Sequence, residues 1–240
     1  MIAGPTTDES VALYTWIRRS HISEDLTSLN PTPATSLYRS DYASGLAHDD
    51  LPPVTLVDEF FWPEGHIPYG AYGWVQDGEY SYLYGLLNNS AGVTVAKVLT
   101  ASVEDSSAYT FYTQHGYQST APGISDVTAA IPNAGTTGQG TFFYSAYFAS
   151  YMWIGIGAFG CNADFFMATS PAPDGPWTEP KLLYSGENGD AWCGAYSQQA
   201  HPELSADGPD ADHVYLTYTK VDGEGLDGKY TTPLIRIDWA

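Results

Sequence analysis

The sequence predicts an all-β fold, a β-propeller of the five-bladed glycosidase-like type with about four blades visible, and three observations predict it. Gln139–Ser185 breaks into four short runs, Thr141–Tyr147, Tyr151–Ile156, Asp164–Thr169 and Trp177–Tyr184. Each has strand length and is rich in Phe, Tyr, Trp, Ile or Met. Their separators, ending with Ser170–Pro176, are short enough for antiparallel hairpins, which makes the stretch one blade in size. Second, Tyr14–Trp16, Tyr82–Tyr84, Met152–Ile154 and Tyr215–Thr217 recur at what read as second-strand positions. Their spacing of roughly 60–70 residues suits blades carrying long loops. Third, no convincing amphipathic helix interrupts the series.

Taken in order, Val11–Ile17 reads as a strand, then Ala34–Tyr38 and Val54–Phe61. A loop with Pro63, Glu64, Gly65, His66 and Pro68 follows. Tyr69–Val75, Tyr80–Leu87, Val93–Leu99 and Tyr109–Thr113 make four strands, with turns at Gly78 and Asn88–Gly92. Gln114–Gly138 is a long polar loop. Beyond the opening blade, Glu187–Gly194 is a loop and Tyr196–Leu204, His213–Thr219 and Thr232–Trp239 are strands. The predicted blades therefore occupy residues 11–61, 69–113, 139–185 and 195–239 of a single domain. The first lacks an inner strand before Val11 and the last an outer strand after Trp239. That pattern fits a ring closed by strand sharing, or a chain incomplete at its N-terminus.

Composition narrows the partners. Eight Lys and Arg against 28 Asp and Glu give a formal charge of −20. Such a field repels phosphates, which excludes nucleic acid and anionic membranes and disfavours anionic polysaccharides. The chain holds 19 Tyr, 7 Trp and 9 Phe. Tyr and Trp offer sugars a flat face and a polar handle, although the same residues also favour strands. No apolar run is long enough for a transmembrane helix, and Met1–Pro5 lacks the charged and apolar regions of a signal peptide. The expectation is an extracellular monomer that binds carbohydrate.

The motifs add a resemblance. Ala168–Trp177 (ATSPAPDGPW) is similar to the blade signature of five-bladed propeller glycoside hydrolases. Together with Val57–Trp62, Ile67–Gly73, Ser102–Asp105, Tyr196–Leu204 and the Pro233–Trp239 ending, it resembles the fungal branch of the DUF4185 family. The resemblance covers the chain from Val11 on. It implies a secreted propeller related to glycoside hydrolases, a group in which some bacterial relatives are endo-D-arabinanases. Such propellers usually draw one essential carboxylate from a first blade, and this chain departs from the pattern by lacking one.

In a blade, the connection into the inner strand lies on the same face as the turn between the second and third strands. Trp62–Pro68, Gln114–Gly138, Gly160–Asn162 and Glu187–Gly194 should therefore share one face, and Ser102–Asp105 and Pro171–Pro176 the other. Cys161 and Cys193 fall on the shared face of adjacent blades, so either a disulfide or two reduced thiols fit. Glycoside hydrolysis needs two carboxyl groups flanking one bond. Glu203, beside His201 on an expected inner strand, is the first catalytic candidate. Asp58 and Glu59 follow, with one of the pair pointing away. Glu64, Glu187 and Asp190 are weaker candidates. His66, Tyr69, Tyr72, Tyr144, Trp192, Tyr196, Gln198 and His201 are the expected sugar contacts. No cofactor or metal site is expected. A channel Ca²⁺ is compatible with the available carbonyls and carboxylates, although no loop spells a calcium motif. Two other readings remain: a non-catalytic carbohydrate-binding propeller, and an inactive fragment of a longer enzyme.

Overall fold

A computed structural model describes residues 2–7, 10–25, 27–43, 45–47, 50–157, 160–223 and 228–239. The fold is all-β, of the β-propeller type, with four antiparallel four-stranded sheets among the described residues. The chain divides into two compact units, residues 1–130 and 131–240, with two sheets in each.

In the first unit, one sheet runs in the order β1 (Ile2–Thr7), β2 (Ser10–Arg18), β3 (Thr35–Ala43), β4 (Val54–Trp62). Strand β1 corrects the expectation that this blade lacks a strand before Val11. Its pairing with β2 is irregular between Ala3 and Thr6, where Gly4 and Pro5 intervene. Proline has no N–H for the ladder, which hides such a strand from pattern reading. The second sheet is β5 (Gly73–Asp77), β6 (Tyr80–Leu86), β7 (Val93–Leu99), β8 (Thr110–Phe111). Between the sheets lies an aromatic core. The Trp62 ring meets Phe61, Tyr109 and Tyr69 edge-on at centroid distances of 4.7, 5.1 and 5.6 Å. Its indole N–H donates to the Tyr69 carbonyl at 2.8 Å, so the polar atom is satisfied as the ring is buried. Gly70 takes φ +86° directly under Trp16, where a Cβ would come within 2.8 Å of the indole. Only glycine suits both the conformation and the approach.

In the second unit, one sheet is β9 (Gly140–Ser145), β10 (Ser150–Ile156), β11 (Asp164–Ser170), β12 (Lys181–Ser185). The other pairs β13 (Ala195–His201) with β14 (His213–Asp222), and β14 with both β15 (Lys229–Thr231) and β16 (Leu234–Asp238). Strands β15 and β16 follow β14 in one register, and Thr232 and Pro233 interrupt them. A proline at that point breaks the ladder without shifting it. Strand β10 is buried from Tyr151 to Ile156, on both faces, which is why it reads as continuous apolar sequence. Strand β14 alternates instead, with Val214, Leu216 and Tyr218 inward against Met152, Ile154 and Phe165.

The sequence pattern places the second strands well: Tyr14–Trp16, Tyr82–Tyr84, Met152–Ile154 and Tyr215–Thr217 fall in β2, β6, β10 and β14.

Candidate functional site

The second unit carries an open groove of about 400 Å³. Ala191, Trp192 and Cys193 form one wall, and Val221, Gly223, Gly228 and Tyr230 the other, with Tyr196 between them. The first wall belongs to the loop leading into β13, and the second to the end of the β14–β15 hairpin. The walls meet closely because two glycines allow it. A Cβ on Gly189 would lie 1.8 Å from the Val221 carbonyl oxygen, and one on Gly194 2.3 Å from that of Gly189. Backbone bonds then fasten the loop: Gly189 N–H to Gly194 O at 3.0 Å, Val221 N–H to Gly194 O at 3.0 Å, Ala191 N–H to Val221 O at 3.2 Å. The Asp190 carboxylate accepts from Gly223 N–H at 2.5 Å and ties the two walls together.

The loop is also bolted to the neighbouring sheet. Cys161 and Cys193 form a disulfide with a Cα–Cα distance of 4.8 Å. The Asn188 side chain accepts from Ala163 N–H at 2.7 Å nearby. This bears out the disulfide, and it brings Gly160–Asn162 and Glu187–Gly194 together as the face argument requires.

Trp192 is 91% exposed and Tyr230 64% exposed, a large apolar area to leave in water. No acidic or basic side chain lines the groove among the described residues. In the loop leading into β13, Glu187 is paired with Lys220 at 3.0 Å, and Asp190 accepts from Gly223 N–H. Flat exposed rings suit the apolar faces of a neutral sugar, with solvent-side hydroxyls left hydrated.

The expected site residues separate. Trp192 and Tyr196 line the groove. Gln198 does not: it is fully buried, and its amide donates to the Asn162 carbonyl. The reason is a bulge in β13 between Tyr196 and Gln199, with Ser197 at φ +59°, which turns Gln198 inward. His201 and Glu203 lie at the other end of β13, roughly 15 Å or more along the strand from Tyr196 at ordinary strand rise. Glu203 is not on the strand as expected. Pro202 ends β13 at His201, and Glu203 sits on a short 3-10 turn with its side chain 66% exposed. His201 Nδ1 is 3.0 Å from Glu203 Oε1 and its Nε2 is 2.7 Å from Thr217 Oγ1. Tyr144, 41% exposed, stacks on Tyr151 across the β9–β10 hairpin at 5.1 Å.

In the first unit, Asp58 and Glu59 precede β5 in the chain, but their own strand is an edge. They lie on β4, the edge of the sheet away from β1, and β1 is the strand that approaches β5. Asp58 accepts from Phe60 N–H at 2.7 Å, and Glu59 pairs with Arg19 at 2.5 Å. Tyr69 is a core residue at 1% exposure rather than a sugar contact, and burial pushes its phenol well above the usual range. His66 is exposed in the turn beyond Trp62, and Tyr72 is half-buried with its N–H directed at the Tyr84 carbonyl at 3.4 Å. Among the described residues no three His, Cys, Asp or Glu side chains gather as metal ligands, and no helix is long and apolar enough to cross a membrane.

Sequence reasoning missed Tyr230 and the Val221–Gly223 wall. The signal was present in the hairpin: a register continued across Pro233 sets Tyr230 opposite Val221.

Residues 53–210 match the model of the domain of unknown function DUF5005, more than half of the chain. No curated protein matches. Among solved structures, a Bacteroides ovatus protein provisionally named as a hydrolase is 18% identical and superposes with a TM-score of 0.65. The match covers 94% of this chain and 55% of that one, so the chain spans about half the length of that relative. A Bifidobacterium bifidum s17 protein provisionally named as an exo-β-1,3-galactanase is 12% identical, with a TM-score of 0.41 over 99% of this chain and 87% of that one. The first of these likenesses supports the fold.

Proposed function

The chain belongs to the DUF5005 family, and from that premise we propose that it is an extracellular, glycoside-hydrolase-like propeller that holds a neutral polysaccharide in the Trp192–Tyr196–Tyr230 groove. The observation that carries this reading is the exposed Trp192 ring on a loop otherwise fastened at several points, above a groove that no charged side chain lines among the described residues. The net charge of −20 favours neutral glycans over uronates or sulfated chains. The resemblance to DUF4185, a group in which some bacterial relatives are endo-D-arabinanases, makes an arabinan-type chain the first ligand to try. The protein acts as a monomer, without nucleic acid, membrane or cofactor, in this reading.

A second reading is hydrolysis of that polysaccharide, favoured by the hydrolase name of the Bacteroides ovatus relative and by the His201–Glu203 pair. A carboxyl hydrogen-bonded to an imidazole is suited to proton transfer. Screening neutral glycans for binding and for released reducing ends tests both readings together. Binding without cleavage supports the first alone. Cleavage that Glu203→Gln abolishes supports the second, and equal cleavage by Glu203→Gln removes Glu203 from the chemistry.

A further inference from the structure

The groove has one attachment whose role differs from the rest. Residues 188–191 and 194 are held through Asn188 to Ala163, Gly189 to Gly194, Asp190 to Gly223, Ala191 to Val221 and Gly194 to Val221. Trp192 stands apart from this network. Among the described residues it makes no hydrogen bond, and it is 91% exposed. Between the backbone-bonded Ala191 and Gly194, its one side-chain tie is that of its neighbour Cys193, through the covalent bond to Cys161 in the turn between β10 and β11. The disulfide joins two loops and no pair of strands. The β10–β11 and β13–β14 ladders stand on their own backbone pairings.

From this placement we infer that the Cys161–Cys193 disulfide is a thiol-sensitive latch on the groove, holding Trp192 in position for the glycan and releasing it on reduction. The inference rests on the sugar-binding reading of the same groove. Cys161 is exposed and Cys193 half-buried, so a small dithiol reaches the bond. One thiolate attacks Cys161 Sγ, the S–S bond breaks, and Cys193 leaves as thiolate. The second thiol of the reagent then displaces Cys161 and closes as the oxidised dithiol, so two electrons and two protons pass to the cysteines. The freed tip must then be ordered anew each time a glycan binds, which lowers affinity by roughly three- to tenfold.

The test is amide hydrogen exchange and calorimetric titration of arabino- and galacto-oligosaccharides, run on the native protein, on the same protein with dithiothreitol, and on the Cys161→Ser/Cys193→Ser variant. The expected result is faster exchange at the hydrogen-bonded Gly189 and Ala191 amides of the 189–194 loop in both thiol-treated and variant protein, with β10 and β14 amides still protected, and weaker glycan binding in step. Unchanged exchange over 189–194 would overturn the latch, as would loss of protection in β10 and β14 at the same time, which signals general unfolding. If the native protein binds no neutral oligosaccharide, the sugar-binding reading falls, and the exchange result alone decides whether the disulfide holds the tip.

Discussion

Trp192 concentrates the functional argument in one side chain. It is the most exposed ring of the groove, at 91%. Truncating it should therefore leave folding alone, because surface side chains away from structural contacts contribute little to stability. Trp192→Ala is expected to keep the thermal midpoint of the parent in differential scanning calorimetry while losing glycan affinity on the order of tenfold. Buried phenols give a second expectation at this scale. Burial, and then the Glu104 carboxylate that accepts its O–H at 2.7 Å, push Tyr14 from 10.0 to about 12. Burial also raises Tyr69 and Tyr109. A group whose folded pKa is raised contributes stability that is intact below its unfolded pKa of about 10 and is lost as pH rises through the folded value. Thermal midpoints should hold up to about pH 10 and fall between about pH 10 and 12, and Tyr109→Phe should make that decline shallower. A midpoint that is flat to pH 12 would contradict this.

Strands and loops show what could be read in advance and what could not. Aromatic and β-branched runs located nearly every strand from β2 on, because each second strand is buried on both faces or alternates cleanly against a partner sheet. Strand β1 escaped because Gly4 and Pro5 break its pattern. Gln198 was misplaced for a related reason: alternation puts it on the same side as Tyr196, and the bulge at Ser197 reverses it. Glu203 was misplaced because the aromatic and polar pattern was carried on to Leu204, whereas Pro202, with no N–H for the ladder, ends β13 at His201. The groove itself was half legible. Trp192 and Tyr196 stand in a recognisable loop and strand start, but Tyr230 joins them only through a long-range hairpin register. The loop leading into β13 offers its own check. Gly189→Ala drives a methyl into the Val221 carbonyl at 1.8 Å, so the loop must shift. The expected cost is about 1–3 kcal/mol in chemical denaturation, with weakened glycan binding. A Gly189→Ala variant of parental stability and affinity would show that the loop is not held as described.

For the whole molecule, charge and the disulfide set the expectations. At −20, an anionic polysaccharide is repelled, and a neutral one carries no ionic term to be screened. Glycan affinity should stay flat between about 50 and 500 mM NaCl, and heparin or polygalacturonate should not compete at the low end. The disulfide closes a sequence separation of 32 residues, so removing it is expected to cost about 3–4 kcal/mol through the unfolded chain, measured by denaturant unfolding of the Cys161→Ser/Cys193→Ser variant. That is a large share of a typical stability of about 5–15 kcal/mol, yet less than the whole, so the sheets should persist. The most direct measurement of the central claim is titration of neutral arabino- and galacto-oligosaccharides into the native protein and into Trp192→Ala. Saturable binding by the native protein and a loss on the order of tenfold in the variant, with unfolding unchanged, are the expected results. Equal binding by the two proteins, or no binding of any neutral glycan by the native one, would contradict that claim.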